Sequence, residues 1–181
     1  MTQHTNEDRI VLATKNWLEQ FVIKYNFCPF AAKPFRENRI RYASYTVSTE
    51  EKLAEKLIDE ILLLKNADPQ QLETSIVVVP DMLTDFLDYN QFLDVADTIL
   101  AELNVEGVIQ IASFHPQYQF ADLSSDDVRN YTNRSPYPMF HLIREDSIEK
   151  ARTVMDTEAI PDRNMQVLLD LGIEKVTQKD S

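Results

Sequence analysis

A chain of 181 residues is most simply one domain, and at that length folding buries roughly 70% of the surface an unfolded chain exposes, so no metal or disulfide staple is required. Thirty acidic against eighteen basic side chains give a formal charge of -12, which repels nucleic-acid phosphates and anionic membranes unless a basic patch is well segregated. Cys28 is the single cysteine. That excludes an internal disulfide, a cysteine zinc cluster and a CxxC redox pair, and it favours a reducing compartment.

The first ten residues, MTQHTNEDRI, lack the basic start and apolar core of a secretory signal, and the apolar runs ILLL and IVVV fall far short of the ~20 residues that span a bilayer. A soluble cytoplasmic protein is the expectation, with one domain over 8–175 and flexible tails at 1–7 and 176–181. From Asp8 to Tyr25 the residues Ile10, Val11, Trp17, Leu18, Phe21, Val22 and Tyr25 recur at helical steps and predict an amphipathic helix that stops before Pro29. RIRYASYTV, from Arg39, predicts a strand. Ser48 and Glu51 form a capping-box pair for a helix carrying Leu53, Leu57, Ile58, Ile61 and Leu62 on one side. SIVVVP, from Ser75, has the continuous apolar pattern of a strand buried on both faces.

A third helix follows from about Thr84 to Leu103, with Asp85, Asp88, Asp94 and Asp97 on a solvated face. VIQIASF after Gly107 predicts another buried strand, and MFHLIRE predicts a fourth. Asp146 and Glu149 predict a capped short helix, and Pro161 opens a last helix ending at Gly172. The order α-βαβαβ-loop-β-αα implies an α/β domain with a four-stranded, mostly parallel sheet, the first three strands adjacent and the fourth returning antiparallel. The alternative is a thioredoxin-like βαβαββα fold with an added amino-terminal helix.

Between Phe114 and Tyr137 lies a connection longer than compact domains ordinarily use, anchored by Tyr118, Phe120 and Tyr131, and long anchored loops tend to be functional. It leaves the carboxyl end of a strand, the edge where open α/β sheets collect ligands. His115 is the candidate acid or base, and Arg134 the candidate clamp for a carboxylate or phosphate. Asp126, Asp127, Asn130, Asn133 and Ser135 are candidate ligand contacts. The structural alternative has His115 hydrogen-bonding the loop and Arg134 paired with Asp126 or Asp127.

His141 is a further candidate ligand contact, although a strand histidine more often serves packing. No metal site is expected, because HExxH spacing and cysteine clusters are absent. Cys28, in NFCPFAAKPF, resembles the Cys-Pro motif of single-cysteine glutaredoxins and glutathione transferases. That motif needs a strand before it, whereas the residues before Cys28 read as helix. A small buried cysteine is therefore favoured over a nucleophile paired with His115. With Gly107 and Gly172 as the only glycines, there is no Gly-rich phosphate loop, dinucleotide fingerprint or GxSxG elbow, and no cofactor is expected.

Taken together, CPFA (Cys28 to Ala31), DFLDYNQFLD, FHPQYQF (Phe114 to Phe120) and NYTNRSPYPMFHLIRE (Asn130 to Glu145) resemble a bacterial domain-of-unknown-function family. The resemblance runs from about Trp17 to Gly172 and supplies no mechanism; Ala121 stands where its pattern has glycine. The functional expectation is a cytoplasmic enzyme or binding protein for a small anionic molecule, with its site at the loop after the third strand. The alternatives are a non-catalytic acidic module meeting a protein partner, and thiol chemistry at Cys28.

Overall fold

The computed structural model describes residues 5–153 and 156–177. Helix α1 (Asn6–Trp17) starts on a capping box in which Thr5 Oγ accepts the Asp8 N–H and the Asp8 carboxylate accepts the Thr5 N–H. The helix then widens into a π turn, Leu18–Ile23, with bonds five residues apart such as Phe27 N–H to the Val22 carbonyl. Asn26, at φ 56°, ends it in a left-handed conformation that asparagine tolerates better than most residues. Short α2 (Ala32–Arg36) leads into strand β1 (Ile40–Ser44), helix α3 (Glu50–Asn66) and strand β2 (Thr74–Val78). Helix α4 (Phe86–Glu102), strand β3 (Ile109–Phe114), strand β4 (Met139–Arg144), α5 (Glu145–Arg152) and α6 (Ile160–Thr177) complete the order. Gly172, at φ 73°, interrupts α6, in keeping with the expected stop.

Several boundaries differ from expectation. Thr49, not Ser48, caps α3 by accepting the Lys52 N–H. The start of α5 has no side-chain cap, so the Asp146–Glu149 pair does not act as one. The expected tails lie partly outside the described residues. Within the described part Thr5 caps α1, and Val176 packs against the core.

The sheet order is β1-β2-β4-β3, with β1 and β2 parallel and β4 antiparallel to both of its neighbours. The fold is thus α/β with one four-stranded open sheet, but the sheet is mixed and mostly antiparallel rather than mostly parallel. Strand β3 was expected beside β2; instead it forms the edge, and its polar Gln110 and Ser113 are only half-buried. The long connection lets β4 return between β2 and β3, where Met139, Phe140 and Leu142 are fully buried on both faces. A helix precedes Cys28, so the strand-first context of the thioredoxin-like alternative is missing.

Helices α3 and α4 cover one face, with Leu53, Leu57, Ile61, Leu64, Tyr89 and Phe92 packed on Val77, Phe140 and Leu142. On the other face Ile10, Leu18, Val22, Phe27 and Leu168 pack on Ile76, Val78 and Met139. Each fully buried large apolar side chain contributes roughly 1.5–3 kcal/mol. Tyr89 also serves the sheet end, accepting the Phe114 N–H at 3.1 Å and donating to the Met139 carbonyl at 2.7 Å.

Arg144, at the end of β4, is 8% exposed and donates from one nitrogen to the carbonyls of Leu64, Ala67 and Leu72 at 2.6, 2.8 and 3.1 Å. It caps the carboxyl end of α3, where a cation is favoured by the helix dipole. Arg144→Leu strands those buried acceptors and should lower unfolding stability by about 3 kcal/mol, with Arg144→Lys recovering part of the loss. Urea denaturation at neutral pH measures both.

Candidate functional site

The loop 115–138 is shaped mainly by its own polar side chains. His115 is fully buried, with Nε2 2.9 Å from the Leu83 carbonyl and Nδ1 3.0 Å from the Gln117 N–H. A carbonyl can only accept and a backbone N–H can only donate, so Nε2 carries the proton and Nδ1 is the acceptor. Both nitrogens are spent on backbone, the ring packs 5.1 Å from Tyr89 and 5.4 Å from Phe86, and burial pushes its pKa down. The geometry gives no support to His115 as an acid or base.

The other loop candidates behave similarly. Buried Asn130 accepts the Phe120 N–H and donates to the Ser124 carbonyl; Asn133 donates to the Ser113 carbonyl; Ser135 donates to the Tyr137 carbonyl. Asp127 caps the 3-10 turn Val128–Thr132 and pairs with Arg129 at 2.6 Å; the bonds from Arg129 hold its carboxyl down to about 2. Asp126 accepts from Ser124 Oγ, which lowers its pKa. Neither aspartate pairs with Arg134, contrary to the structural alternative. Arg134 donates from Nε to the Tyr118 carbonyl and from Nη2 to the Ser125 carbonyl, and it lies 4.7 Å over the Tyr131 ring.

The other histidine has a different setting. Strand register aligns Tyr42, Ile76, His141 and Ala112 in one row across the sheet, on the face packed by α1 and the π turn. There a cavity of about 310 Å³ opens between the sheet and residues 17–31, with Cys28, Gln110, Ala112, Phe114 and His141 in its wall. A second void of about 40 Å³ shares Cys28 and His141 and reaches Thr74. The structure therefore brings Cys28 and His141 to one cavity, and the FHPQYQF motif contributes Phe114 rather than His115.

Thr74 fixes the His141 tautomer. Its hydroxyl lies 2.5 Å from the Leu142 carbonyl, to which it must donate, so it accepts from His141 Nε2–H at 2.8 Å. Nδ1 is then the bare lone pair, and no described residue hydrogen-bonds to it. Burial pushes the His141 pKa down to about 4, so the ring is neutral at physiological pH. Burial also raises the Cys28 thiol, although the N–H groups of Phe30 and Ala31 against its sulfur oppose this.

Sequence patterns singled out Cys28 and His141 but not Thr74, Gln110 or Ala112. Their membership depends on register between strands distant in the chain; the one local signal was Thr74 at the start of a buried apolar run. Among the described residues, no three or more His, Cys, Asp or Glu side chains come together as a metal-holding group, and no helix is long and apolar enough to cross a membrane.

The low pKa of His141 has a thermodynamic consequence. The unfolded chain binds the proton more readily, so the stability contributed by the neutral ring is complete above pH ~6.5 and is lost as the pH falls to about 4. Those roughly 2.5 units correspond to about 3 kcal/mol. The unfolding free energy of the parent minus that of His141→Gln, followed by urea titration across this range, should fall by that amount; a flat difference would place His141 in a water-like setting.

No curated protein and no solved structure matches the chain. One family does, described as Protein of unknown function (DUF1415), and it matches residues 9–178. The match begins within α1 and spans the π turn, every strand and the cavity wall, and the chain belongs to this family.

Proposed function

We propose that the protein binds a small, largely apolar molecule bearing a hydrogen-bond donor in the cavity between the sheet and residues 17–31. The observation that carries this reading is the neutral imidazole of His141, held by Thr74 with its Nδ1 lone pair unclaimed by any described residue, in the wall of an otherwise largely apolar cavity. Small-molecule sites have this composition, a mainly apolar lining with a few fixed polar groups, and volumes of roughly 300–1,000 Å³. Cys28 and Gln110 add a weak donor and an amide to the same wall.

Binding is favoured over thiol chemistry on energetic grounds. Burial raises the pKa of the Cys28 thiol and pushes that of His141 down to about 4, so both shifts oppose transfer of the thiol proton to the imidazole. Cys28 thus stays protonated, a polarizable part of the wall rather than a nucleophile. The alternative of an acidic interaction module rests on the exposed Asp88, Asp94 and Asp97 of α4, and such faces ordinarily serve solubility.

Indole and phenol, each an apolar ring with one donor, are suitable probes. At about ten times its Kd such a probe adds about 1.4 kcal/mol, which for a chain of this size raises the melting temperature by roughly 3–6 °C. Ala112 is the small residue beside His141 in the sheet, so Ala112→Phe should fill the cavity and abolish the shift while the variant stays folded. His141→Leu should remove the preference for phenol over toluene. A shift of the same size in Ala112→Phe, or none in the parent, would contradict the proposal.

A further inference from the structure

We infer that a second site, separate from the cavity, binds a small aromatic anion in the open groove between the α1–π turn and the exit of the long loop. The groove encloses about 750 Å³ and includes Trp17, Lys24, Tyr131, Arg134 and Lys175 in its wall. In a chain with thirty acidic residues, the described residues that line it include the cations Arg134 and Lys175 and no carboxylate. This is the local segregation of positive charge that lets a strongly acidic protein attract an anion.

Arg134 is built for that role. Its Nε and Nη2 are fixed by the carbonyls of Tyr118 and Ser125, and its plane lies over Tyr131. Carbonyls orient a guanidinium without cancelling its charge, and among the described residues no carboxylate pairs with Arg134. Nη1 has no hydrogen bond to the described residues. A cation already locked in place loses little side-chain entropy on meeting a phosphate or carboxylate.

The aromatic half of the ligand follows from the remaining wall. Trp17, Phe21, Tyr25 and Tyr131 supply rings, and Trp17 Nε1 is tied to the Arg134 carbonyl at 3.1 Å, which fixes the indole beside the cation. Rings flanking a fixed cation suit a planar ring that carries an anionic group. Trp17 also lines the cavity, so one side chain forms a wall of both spaces.

Phenyl phosphate is the probe, with inorganic phosphate and benzyl alcohol as its two halves, followed by calorimetry and by the emission of Trp17, the only tryptophan. The expected result is saturable binding of phenyl phosphate that changes Trp17 emission and weakens with salt, with each half binding at least about ten-fold less tightly. Lys175 is exposed, so Lys175→Gln should keep the parent melting temperature while losing affinity several-fold; Arg134→Gln should lose more. Ala112→Phe should bind phenyl phosphate like the parent, which separates this site from the cavity. Absence of saturable binding, affinity indifferent to both charge variants, or loss of binding in Ala112→Phe would each overturn the assignment. Inorganic phosphate binding as tightly as phenyl phosphate would overturn its aromatic part.

Discussion

The antiparallel pairing of β4 with β2 on one edge and β3 on the other is the constraint on which the rest of the structure depends. It joins the parallel pair to the edge strand and assigns every side chain of Met139–Arg144 to a face. Phe140 and Leu142 complete the core beneath α3 and α4, while Met139 and His141 face the π turn. Arg144 reaches the end of α3 from the same strand. A one-residue slip would exchange the two faces, placing an imidazole in the dry core and the phenyl ring of Phe140 at the cavity.

The loop between β3 and β4 makes that pairing attainable. Its polar residues act on backbone: His115 and Asn130 close turns, Asn133 ties the loop to β3, and the Asn133 carbonyl accepts the His115 N–H. Buried polar groups used in this way cost little, because each finds a partner, and they specify one path for a segment with little regular structure. The stretch from Asn130 to Glu145 is therefore three things in succession. It is a braced turn, the wall of a cationic groove at Arg134 and Ser135, and the strand that brings His141 to the cavity.

Much of the local structure was legible in the sequence. The periodicity of Leu53, Leu57 and Ile61 located α3, the run at Ile76 located a buried strand, and Gly172 marked a helix break, because each signal is local. Strand order was not legible. VIQIASF reads as a buried strand, but Gln110 and Ser113 belong to an edge, and only the two-faced apolar pattern of MFHLI hinted that the fourth strand is central. The site was legible in part. Cys28 and His141 stood out as residue types, whereas His115, expected as the acid or base, has both ring nitrogens bonded to backbone. A histidine at a strand tip looks available until the carbonyl of Leu83, 32 residues away, is found against it. Thr74 was invisible as the group that sets the His141 tautomer, since their sequence separation is 67.

The ring nitrogens of His141 offer the most direct test, by long-range proton–nitrogen NMR across a pH titration. A neutral ring protonated at Nε2, with Nδ1 bare and a pKa of about 4, is the predicted result, and indole or phenol should shift the Nδ1 resonance. A ring that titrates near its ordinary value of 6.5, or that carries its proton on Nδ1, would contradict the account, for then the cavity would present no fixed acceptor.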